Sequence, residues 1–122
     1  PLQILREQAS ELTKMTKGVL VGSVRQQTIG REAFGFELSI RAPALNDYSI
    51  TILAIQYGLQ MFPLQVMDLF RNRESKCQDE ASFLNALGEI LQSSAVRNAI
   101  SALLSQSNDL ASDAIHSPLD RV

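Results

Sequence analysis

Three features of the sequence predict an α+β domain: an N-terminal helix, a four-stranded antiparallel meander, and two C-terminal helices packed on one sheet face. A helical apolar stripe runs through residues 2–17, apolar and polar residues alternate between Val19 and Asp68, and helical spacing returns from Asp79. Helices and strands kept in separate blocks, with no regular βα alternation, are the signature of that class. The chain has 122 residues, 45% of them hydrophobic and 20% charged, which suits one globular core. The domain is expected over 1–106, with 107–122 as a loosely ordered tail.

In the first helix, Leu2, Leu5, Ala9 and Leu12 recur at steps of three and four, while Arg6, Glu7, Glu11 and Lys14 fall elsewhere. Pro1 suits a helix start, Lys14 and Lys17 suit the negative end of the dipole, and Gly18 supplies a left-handed terminator.

Four strands follow, near 19–28, 33–42, 48–57 and 62–68. The second is the clearest: Phe34, Phe36, Leu38, Ile40 and Ala42 alternate with Gly35, Glu37, Ser39 and Arg41. Gly30, Pro43 with Asn46-Asp47, and Gly58 provide the turns, and gaps this short force antiparallel neighbours in a meander. With even-numbered residues inward, Val24 pairs with Phe36, Leu38 with Ile52, and Ala54 with Leu64. Pro63 cannot donate a ladder bond, which places the fourth strand at an edge. Gly22 and Gly35 mark a bulge or close packing.

Residues 71–78 read as a polar connector. Asp79 and Glu80 open a second helix with the stripe Phe83, Leu87, Ile90 and Leu91. Ser93 or Ser94 caps a third, with Val96, Ile100 and Leu103 inward. Both C-terminal helices are expected on one sheet face, and the pattern fades after Ser105.

The residues exclude several kinds of chemistry. Net charge is -2, from 11 basic and 13 acidic residues, with no basic surplus for nucleic acid. Arg71, Arg73 and Lys76 form only a small basic loop. One cysteine, Cys77, allows no internal disulfide, and the single histidine, His116, is too little for a zinc site or a thiol base. No phosphate loop or nucleophile elbow occurs. No run approaches the ~20 apolar residues of a membrane span, and Arg6, Glu7 and Glu11 interrupt any signal-peptide core. The expectation is a cytoplasmic protein with no catalytic residues, metal or cofactor, and with neither nucleic acid nor membrane as a partner.

Two surfaces remain as candidates. Leu53, Ile55 and Tyr57 point to the outward sheet face in the even-inward register, joined by Met61, Pro63 and Met67, beside small Ala33 and Gly35. An apolar patch of that size marks an interface unless a helix covers it. On the same face, Arg25, Glu37 and Arg41 form an acid between two arginines. That grouping is either ordinary surface ion pairing, a rim to the patch, or a ligand site. The function these residues favour is a non-enzymatic interaction or accessory protein, a homodimer through the outward face, with another protein as a further partner class. The alternative is a small-molecule-binding protein or enzyme with a pocket near Glu37, Arg41 and Tyr57.

Overall fold

The computed structural model describes residues 1–27, 30 and 32–115. Among them the chain forms α1 (Leu2–Met15), β1 (Val21–Gln27), β2 (Ala33–Ala42), a 3-10 turn (Pro43–Leu45), β3 (Tyr48–Gly58), β4 (Leu64–Asp68), β5 (Arg73–Cys77), α2 (Glu80–Leu91) and α3 (Ser94–Ile115). The strands make one antiparallel sheet in the order β1-β2-β3-β4-β5. The α+β class and the meander are as the periodicity requires. The fifth strand corrects the expected four: it lies in the segment read as a connector. Its first four residues are all exposed, so it carries no apolar alternation from which a strand could be read. Pro63 therefore precedes an interior strand, just outside the ladder, and β5 is the edge.

Local chemistry explains the element ends. The Gly18 N–H donates to Thr13 O at 2.9 Å, closing α1, and Gly18 takes a φ of +81°. The Thr13 hydroxyl accepts from the Gly22 N–H at 2.9 Å, and the Thr16 hydroxyl accepts from the Leu20 N–H at 3.2 Å, tying helix to strand. At Gly22 a Cβ would stand 2.3 Å from Ala9 O, so glycine lets α1 lie directly on β1. Asp79 caps α2 in a reciprocal box with Ser82, and the Ser93 hydroxyl accepts from the Val96 N–H at 3.3 Å to start α3. Helix α3 runs on through Ile115, past the point where the apolar spacing fades. Residues 116–122, the rest of the expected tail, lie outside the described residues.

The register holds the main correction. Ile40 faces Ile50 as the even-inward register requires, but Ser39 pairs with Thr51 while Leu38 pairs with Leu53. Ile52 is thus an extra residue, a β-bulge. Beyond it the parity of β3 reverses, so Phe36 faces Ile55 and Phe34 faces Tyr57. Leu64 and Val66 follow on, opposite Tyr57 and Ile55 in place of Ala54. Val24 pairs with Leu38, two residues from its expected partner and on the same face.

Helix α1 packs over β1 and β2, α2 over β4 and β5, and α3 against the Pro43–Leu45 turn. Their stripes (Leu5, Ala9 and Leu12; Phe83, Leu87 and Ile90; Val96, Ile100 and Leu103) join Phe36, Leu38, Ile40, Leu53, Ile55, Leu64 and Val66 in one buried cluster.

Candidate functional site

The bulge moves the expected interface into the core. Leu53 and Ile55 are 0% exposed, on the helix-covered side. Tyr57 is half-buried between aromatic neighbours, its ring centroid 5.7 Å from Phe34 and 6.1 Å from Phe36. Only Met61 and Pro63, in the loop before β4, remain exposed. One extra residue turned the apolar half of β3 from outward to inward, so the five residues do not share a surface.

The outward face that replaces it is polar and can be followed strand to strand. One row runs Gln27, Gly35, Gln56, Gln65, Lys76, and the next runs Arg25, Glu37, Ala54, Met67, Glu74. Glu37 accepts from Arg25 Nη2 at 3.0 Å and from the Gln27 amide. The Arg25 guanidinium, with the Gln27 amide behind it, holds the Glu37 carboxyl below its ordinary range. Arg41 does not join them: its guanidinium bonds Asp47 in the turn at 2.6 Å, and Ser39, bonded to Thr51 at 3.1 Å, lies between. The expected triad is therefore two separate ion pairs. A shallow pocket of about 230 Å³ opens beside Tyr57, Gln56, Gln65, Pro63 and Lys76, without Glu37 or Arg41 in its lining. It falls below the ~300 Å³ at which ligand pockets usually begin.

Cys77 and Arg71 have structural roles. Cys77 is buried at the end of β5, and burial pushes its thiol pKa up, with the Asp79 charge acting the same way. Arg71 is committed to Asp68, at 2.5 Å. His116 lies outside the described residues. Among the described residues no three His, Cys, Asp or Glu side chains gather as metal ligands, and no helix is long and apolar enough to cross a membrane.

A larger concavity than the one beside Tyr57 lies on the helical side. A groove of about 550 Å³ separates α1 from the α2–α3 corner, lined by Gln8, Glu11, Leu12 and Met15 on one wall and Leu91, Gln92, Arg97, Ile100 and Ser101 on the other. Leu12, Leu91 and Ile100 form an apolar base, and Met15 stands 65% exposed at the edge. Polar groups border both sides. Glu11 is engaged with Lys14 at 3.9 Å, whereas Arg97 has no ion pair among the described residues. The sequence carried one sign of this groove: Met15 extends the Leu5, Ala9, Leu12 stripe by a further step of three. Nothing local showed that α2 and α3 would stop short of covering it.

No protein-family model matches the chain, and neither does any curated protein or solved structure. The functional reading therefore rests on the geometry of these surfaces.

Proposed function

We propose that the chain is a non-enzymatic interaction protein that docks an amphipathic helical segment of a partner protein in the groove between α1 and the α2–α3 corner. The observation that carries this reading is the apolar base of Leu12, Leu91 and Ile100 between two polar borders, with Met15 exposed beside it. An apolar helix stripe with polar flanks has the complementary arrangement, and a flexible thioether at the edge adapts to different side chains. The lining holds no histidine or cysteine, and Ser101, its one hydroxyl, is bonded to no base among the described residues, which favours a binding role over a chemical one.

A short amphipathic helical peptide with leucines at i, i+4 and i+7 serves as probe, read by methyl chemical shifts. Shifts should concentrate on Leu12, Met15, Leu91 and Ile100, and Met15→Asp should weaken binding by roughly tenfold or more, as loss of an anchoring contact does. Shifts confined to the sheet face, or a Met15→Asp protein that binds unchanged, would overturn the proposal.

A further inference from the structure

Among the described residues strand β5 is paired on one side only, with β4, and Arg73, Glu74, Ser75 and Lys76 are all exposed. It is therefore an open edge, with backbone groups available to another strand. Opposite Met67 and Gln65, Glu74 and Lys76 stand on the outward face, while Ser75, opposite Val66, stands on the inward one. Neither charge has an ion pair among the described residues.

We propose that two copies of this chain join edge to edge through β5, antiparallel, with Ser75 on the two-fold axis. Charge and register together favour this pairing. An antiparallel edge pair has its two-fold axis perpendicular to the sheet, so outward residues can only oppose outward residues. With Ser75 on the axis, Glu74 lies opposite the partner's Lys76, and Lys76 lies opposite the partner's Glu74. Sliding the pairing so that Glu74 sits on the axis opposes two carboxylates, and sliding it to Lys76 opposes two ammonium groups. Opposite charges directly across a strand pair stabilise it and like charges destabilise it. Of the registers centred on Glu74, Ser75 and Lys76, the one on Ser75 is thus favoured, and it is self-complementary. A lysine on an edge strand ordinarily guards against pairing with stray strands. Here Glu74 at the i-2 position turns that guard into a selector for a second copy. The association extends the sheet across the dimer axis and uses none of the residues that line the α1/α2–α3 groove, so it stands independently of the groove proposal.

Sedimentation velocity of the full chain at low salt tests the pairing. The native protein should dimerise with rising concentration. Glu74→Lys and Lys76→Glu, both at exposed positions, should each weaken self-association by roughly tenfold or more, since each places like charges across the axis twice. An equimolar mixture of the two variants should recover the dimer, because lysines on one chain then face glutamates on the other. A native protein that stays monomeric at several hundred micromolar overturns the proposal. So does a dimer that survives both single variants, or a mixture that fails to associate while each variant alone retains the native fold by circular dichroism.

Discussion

Asp68 shows how a single residue can contradict its pattern position and still be satisfied. It occupies an inward position opposite Leu53 and is buried, yet it is an acid. Burial alone would push its carboxyl pKa up. The Arg71 guanidinium at 2.5 Å and the backbone N–H groups of Phe70 and Arg71, at 3.0 and 3.1 Å, outweigh that and hold it below its ordinary range. Glu37 is lowered as well, chiefly by Arg25. Both carboxyls therefore bind protons more weakly folded than unfolded. Their stabilisation is complete above the ordinary values of 3.8 for Asp68 and 4.5 for Glu37, and is lost as pH falls through the lower folded values. Urea denaturation from pH 6 downward should show stability falling across that acidic range. The double variant Glu37→Gln, Asp68→Asn should be less stable at neutral pH and should have a flatter profile. An unchanged slope would mean that other carboxyls govern acid unfolding.

At the scale of elements, the contacts that set the architecture are close approaches of backbone. Helix α1 rests on β1 because position 22 has no side chain and its N–H is taken by Thr13. Gly22→Ala should lower stability by about 1–3 kcal/mol, the usual cost of overpacking, measured as a shift in the urea midpoint. Ala9→Gly should not rescue it, because the clash is with the Ala9 backbone and not its methyl group. Rescue by that second change would place the strain elsewhere. The glycine itself is plain in the sequence, but the helix that uses it lies thirteen residues away along the chain, so its reason is not. The bulge is a further case. Ile50, Ile52, Leu53, Ala54 and Ile55 are apolar in close succession, which leaves two faces equally acceptable to a strand taken alone. Which face goes inward is decided by β2 and by the helices above it. β5 escapes the alternation rule for the opposite reason: as an exposed edge, it has no buried face on which to write a pattern.

Across the whole molecule, the core is continuous from α1 to α2 through the inward halves of β2, β3 and β4, and Ile55 lies in it. Ile55→Glu buries a carboxylate among apolar side chains. It should abolish the cooperative urea transition or reduce stability by several kcal/mol, a large part of the ~5–15 kcal/mol a domain possesses. Gln56→Glu, one position along and facing outward, should change stability by less than about 1 kcal/mol. Equal tolerance at both positions would return Ile55 to the surface. The same arrangement separates three regions of surface: a polar sheet face, an open β5 edge, and a groove on the helical side with an apolar base. Partner binding and self-association are each proposed for a different one of them.

The sequence by itself determined the α+β class, the antiparallel meander over β1–β4, the helix boundaries at Gly18, at Asp79 and at Ser93 or Ser94, and most of the inward stripe of each helix. Those follow from local rules, namely periodicity, turn residues and caps, that act within a few residues of one another. Only the tertiary structure decided the parity of β3 past Ile52, the existence of β5, the separation of Arg41 from Glu37, and the gap between α1 and the α2–α3 corner. Each of these depends on segments distant in the chain meeting in one packed layer. A single inserted residue reverses every later side chain of a strand, so the candidate interface residues depended on the register, which no local pattern specifies.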